Sequence, residues 1–122
     1  MRKTTIAIAL ALSSTAAFAL NTCDTMPSKK ERIKCWSELI GSNLQEADAY
    51  VLAVQESRKV PDAVKQKVEA KRQTISQNAH RQCKKDDLGY PENPCYIEQI
   101  QKFKDFAYKE TSKYGVADQR LN

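Results

Sequence analysis

Four cysteines fall into two pairs of identical spacing, and this constrains the chain more than any other feature. Eleven residues separate Cys23 from Cys35, in CDTMPSKKERIKC, and eleven separate Cys83 from Cys95, in CKKDDLGYPENPC. Zinc pairs usually hold about two to four residues between ligands, so the spacing argues against a metal clamp. The chain also opens like an export leader. Arg2 and Lys3 precede an apolar run from Ile6 to Leu12, and Ala17-Phe18-Ala19 fits the small-x-small cleavage rule. The expected organisation is therefore a signal peptide over 1–19 and one domain over 20–122. An even number of cysteines behind a leader reads as two disulfides in an oxidising compartment, the periplasm or outside the cell. The apolar run is too short for a membrane span, and no second one follows.

Two connectivities suit the spacing. A helix from Ser28 to Cys35 rises about 10 Å at 1.5 Å per residue, and the residues before it span roughly 17 Å when extended. Cys23 can thus fold back onto Cys35, and the loop between Cys83 and Cys95 can close on itself. The alternative is a straight helical hairpin centred near Lys59, with Cys35 facing Cys83 and Cys23 facing Cys95. A helix break expected at Gly41 weakens the hairpin, so the local pairing is favoured and the other stays open.

The rest of the chain reads as helix. Ser28-Lys29-Lys30-Glu31 is a capping box, opening a short helix to residue 40 with Ile33, Trp36, Leu39 and Ile40 as its apolar stripe. Ser42 to Gln45 looks like a second box after Gly41. A new segment then carries Leu44, Ala47, Tyr50, Val51 and Val54. Pro61 starts a third helix with Val64, Val68, Ile75 and Ala79 inside. Asp86 to Glu92 is a loop with Gly89 and Pro91 as breakers, and Asn93-Pro94 starts the last helix. That helix has the strongest stripe, Tyr96, Ile97, Ile100, Phe103, Phe106 and Ala107, and ends near Gly115 before a frayed tail. The predicted class is all-α: a small antiparallel bundle of three main helices plus a short N-terminal helix, stapled by two disulfides.

Chemistry is mostly conspicuous by what is missing. His80 is the single histidine, and there is no Gly-x-Ser-x-Gly, no phosphate-binding Gly loop and no Cys-x-x-Cys-His. The reading is a non-enzyme with no cofactor and no metal. The net charge of +5 falls to +3 when Arg2 and Lys3 leave with the leader, and the charges alternate in sign along the helices. No one-sided basic stripe with aromatic residues suggests nucleic acid.

The clamp from Cys23 to Cys35, with Glu31 and Ile33 inside it, resembles the N-terminal clamp of the LprI-like lysozyme-inhibitor family of small secreted bacterial proteins. The segment with Leu44, Ala47 and Tyr50 is similar to that family's Leu-and-Tyr helix, and Cys83 and Cys95 resemble its second cysteine pair. The chain departs from the pattern at Ser76 and His80, where the family commonly carries Trp and Arg, and its second cysteine loop is longer. The resemblance implies a protein partner, a lysozyme-like cell-wall hydrolase. A periplasmic immunity protein against a secreted toxin and an envelope accessory protein are the competing classes. The candidate contact surface is the loop from Lys84 to Glu92. It offers Asp86, Asp87 and Glu92 as acidic groups and Tyr90 as an aromatic anchor, held by its flanking cysteines. The positive net charge works against steering toward a basic enzyme.

Overall fold

The computed structural model describes residues 22–120; the proposed leader lies outside the described residues. The fold is all-α. Four helices are present among the described residues: α1 (Lys29–Glu56), α2 (Asp62–Gln73), α3 (Ile75–Gln82) and α4 (Asn93–Thr111), the last followed by a 3-10 turn over Ser112–Tyr114. The chain divides into two compact units, with the boundary between Glu38 and Leu39.

In the first unit, Cys23 bonds to Cys35 with Cα atoms 5.4 Å apart. The Ser28 hydroxyl accepts from the Glu31 backbone N–H at 3.1 Å, the capping contact expected from the sequence. Two further contacts tie residues 22–28 along the helix. The Trp36 indole N–H donates to Asp24 at 3.0 Å, and the Arg32 guanidinium donates to the Met26 carbonyl at 2.9 Å. Cys23 and Trp36 are buried, whereas Ile33 is exposed although it has the phase of the expected stripe.

In the second unit the helices run up, down and up. The Arg72–Asp48 and Lys65–Gln55 contacts set α2 antiparallel to α1. The Lys67–Glu110 and Gln82–Gln99 contacts set α2 and α3 antiparallel to α4. Asn43 with Gln101 and Glu46 with Lys104 then show α1 and α4 running the same way. The core takes Ala47, Tyr50 and Val54 from α1, Val68 and Ile75 from α2 and α3, and Ile100, Phe103 and Ala107 from α4, all expected stripe positions, together with Val60 from the link between α1 and α2, which no stripe included. Val68 is the one buried residue of α2, so the middle of the bundle rests on a thin wall.

Three local features differ from the sequence reading. The break at Gly41 does not occur: α1 is continuous through it, and the short N-terminal helix and the segment after it are one element. Glycine in a helix interior costs about 1 kcal/mol relative to alanine, which the burial of Ala47, Tyr50 and Val54 outweighs. Ser42, expected to cap a new helix, instead donates to the Leu39 carbonyl at 3.0 Å. The second difference is at Thr74, where the expected third helix divides into α2 and α3. The Thr74 N–H turns to the Lys71 carbonyl at 3.2 Å, and its hydroxyl donates to the same oxygen at 2.8 Å. A side chain competing for the helix's own acceptor tightens the turn.

The third difference is the C-terminal tail, expected to be frayed, whose described residues pack onto the bundle. Gly115 takes a left-handed φ of 83°, ending the 3-10 turn. Val116 packs against the core. The Arg120 guanidinium stacks 3.7 Å from the centroid of the Tyr108 ring and pairs with Asp118 at 2.8 Å and Asp105 at 3.2 Å.

Candidate functional site

The second disulfide, Cys83–Cys95, has Cα atoms 5.7 Å apart. The local connectivity is therefore the one adopted, and the hairpin pairing of Cys35 with Cys83 is not. Cys83 ends α3 and Cys95 lies in the first turn of α4, so the bond closes the loop where its two helices part. Closing a loop of about a dozen residues removes roughly 3 kcal/mol of chain entropy from the unfolded state.

Inside that clamp the loop builds its own frame. The Glu92 N–H donates to the Lys84 carbonyl at 2.9 Å, and the Asp86 N–H to the Tyr90 carbonyl at 2.7 Å. Lys85 and Pro91 form an antiparallel bridge between these two bonds. The Gly89 N–H closes a four-residue turn onto the Asp86 carbonyl at 3.0 Å. Gly89 has φ 84°, which a side-chain-bearing residue would adopt only under strain. The Asp86 side chain completes the turn: Oδ1 accepts from the backbone N–H of Leu88 at 2.9 Å and of Tyr90 at 3.0 Å. At the base, the Lys85 ammonium donates to the His80 carbonyl, and Pro91 is buried.

The result is a short hairpin with an apolar tip. Leu88 is 81% exposed and Tyr90 62% exposed, the two most exposed large hydrophobic side chains among the described residues. Backbone groups that would otherwise move freely are bonded to one another, so these side chains project from a preorganised base. Asp87 and Glu92 are exposed beside them. Of the four residues singled out from the sequence, the loop brings all together on one short stretch. Asp86 additionally uses one carboxylate oxygen to hold the turn. Leu88 was not singled out. The signal was there in a large aliphatic side chain next to a turn glycine, with no helix stripe to join.

Elsewhere, several ionisable groups are buried or paired within the bundle. Lys104 is buried, with its ammonium 2.6 Å from the Glu46 carboxylate. The Tyr50 hydroxyl is buried, which raises its pKa, and the nearby Asp118 charge adds to the rise. Hydrogen bonds from Arg120 lower the pKa of Asp118. No group of three or more His, Cys, Asp or Glu side chains suited to hold a metal forms among the described residues. No helix among them is long and apolar enough to cross a membrane. The two disulfides fit an oxidising compartment. Comparisons with protein-family models, with curated proteins and with solved structures find no match to this chain.

Proposed function

We propose that this is an exported, non-enzymatic binding protein whose loop from Lys84 to Glu92 docks into a protein partner, and that the partner is a lysozyme-like cell-wall hydrolase. The observation that carries the reading is the loop tip. Leu88 and Tyr90 stand out into solvent on a frame fixed by a disulfide and by the Asp86 carboxylate. Aromatic and apolar anchors of this kind supply most of the energy of an interface when a concave partner desolvates them. A preordered loop loses little conformational freedom on entering a cleft. Asp87 and Glu92 flank the tip and complement a basic cleft locally, while the molecule's net charge of +5, leader included, gives no long-range steering toward one. The choice of hydrolase rests on the resemblance of the Cys23–Cys35 clamp to the lysozyme-inhibitor family.

The test is inhibition of a muramidase by the purified protein, beside a variant carrying Leu88→Ser and Tyr90→Ser. Both side chains are exposed, so the variant keeps the fold and the Asp86 turn. Inhibition by wild type that weakens at least about 100-fold in the variant, near 2.7 kcal/mol, is expected for two anchors. Absence of inhibition by wild type, or equal inhibition by the variant, overturns the proposal.

A further inference from the structure

A groove of about 250 Å³ lies between the α2–α3 junction and α4, and it shares no residue with the 84–92 loop. Its apolar base is Ile75 and Phe103, both buried. Gln99 joins them with only 7% of its surface exposed, an uncommon place for a polar side chain. The Gln99 amide N–H donates to Gln82 Oε1 at 3.3 Å. Among the described residues the Gln99 carbonyl oxygen accepts no hydrogen bond and the Gln82 amide nitrogen donates none. The pair therefore offers one acceptor and one donor side by side. Asn78 adds a further amide on the rim, where it is already bonded to Arg81 at 2.7 Å and Thr74 at 3.4 Å.

Two cations complete the lining. Lys71 and Lys102 stand at the groove, and no carboxylate lines it. Neither lysine forms an ion pair among the described residues, in contrast to Lys67, which is paired with Glu110 at 3.1 Å. Lys71 is held 5.5 Å from the Phe106 ring centroid, which keeps its charge near the groove without neutralising it.

We propose that this groove binds a carboxylate attached to a secondary amide: the C-terminal end of a short peptide or an N-acylated amino acid. The ligand N–H donates to Gln99 Oε1, which the bond to Gln82 holds in place, its carboxylate lies between Lys71 and Lys102, and a small apolar side chain rests on Ile75 and Phe103. The volume holds about one or two residues, less than the 300 Å³ or more typical of drug-sized ligands. Affinity is accordingly modest, with Kd on the order of 1 mM. A bare phosphate gains the lysines but leaves the glutamine pair unmatched.

The experiment is a titration of the isotopically labelled protein, followed by the side-chain amide resonances of Asn78, Gln82 and Gln99. The probes are N-acetylalanine, N-acetylalanyl-alanine, the C-terminal amide of the latter, and inorganic phosphate. Saturable shifts of the Gln82 and Gln99 amides are expected with the two acids. Capping the carboxylate as an amide weakens binding at least about tenfold. A Lys71→Gln, Lys102→Gln variant, altered at two exposed positions, weakens it to a similar degree while melting as wild type does. Gln82→Ala weakens the acetylated acids several-fold and leaves any phosphate binding unchanged. The proposal is overturned if the acids give no saturable shift up to about 20 mM. It is equally overturned if the amide-capped probe binds as well as the acid, or if phosphate binds as tightly as the peptide.

Discussion

The Lys104–Glu46 pair makes opposite predictions for its two partners. The Lys104 side chain is 1% exposed and that of Glu46 is 26% exposed. Glu46→Ala leaves an ammonium buried without its counter-ion. Breaking a buried pair in this way costs about 3–5 kcal/mol, and the partial exposure of Glu46 places this one near the lower end, about 3 kcal/mol. Lys104→Met keeps the aliphatic volume, removes the desolvated charge and leaves a carboxylate that already touches water. Its effect lies near zero or is stabilising by about 1 kcal/mol. Domains of this size have a total stability of about 5–15 kcal/mol, so the difference is large. It corresponds to a fall in Tm of roughly 12–24 °C for Glu46→Ala and almost none for Lys104→Met. Urea unfolding followed by far-ultraviolet circular dichroism, with the disulfides intact, reads both. Equal destabilisation by the two variants, or a loss below about 0.5 kcal/mol for Glu46→Ala, refutes the buried-charge argument.

Other outcomes follow from the same structure. Gly41→Ala adds a methyl group to a helix interior with nothing within 4 Å of it, so it stabilises by about 0.5–1 kcal/mol; a destabilised variant would mean that α1 bends there. The raised pKa of Tyr50 means that the folded state holds its proton more tightly than the unfolded state does. That stability is complete below the unfolded value near 10.0 and is lost as pH rises above it. Tyr50 should therefore ionise above the ordinary tyrosine value near 10.0 in an absorbance titration, read as the difference between wild type and Tyr50→Phe. An early Tyr50 transition contradicts the packing of the tail over it. Each disulfide contributes about 3 kcal/mol, so strong reductant should lower the melting temperature steeply; an unchanged melt refutes the staple role.

Periodicity carried most of the fold. Ala47, Tyr50, Val54, Val68, Ile75, Ile100, Phe103 and Ala107 lie on the expected helix faces and make up the core with Val60, whose place in the link between α1 and α2 no periodicity could reveal. The disulfide pairing was narrowed by reach, and the Ser28 cap by local chemistry. Features set by competition between local and tertiary terms were not legible. At Gly41 a local penalty lost to packing, while at Thr74 a single hydroxyl altered the backbone pattern. Glu46 and Lys104 sit among many alternating charges, and nothing in the sequence singles out that pair before α1 and α4 lie parallel. Ordering of the tail likewise needed Tyr108 and Asp105 in place to receive Arg120. Within the loop, exposure of Tyr90 and closure by cysteines were readable, but the two amides that Asp86 holds appear only once the turn is folded.

Amide hydrogen exchange, read by mass spectrometry with and without an added muramidase, addresses the binding role of the loop most directly. In the free protein the Leu88 and Tyr90 amides should already exchange slowly, because Asp86 accepts from both. Adding the hydrolase should deepen protection across residues 84–92 and leave the outer faces of α1 and α2 unchanged. Unchanged exchange in the loop on saturation with the enzyme, or new protection confined to another surface, would contradict the account.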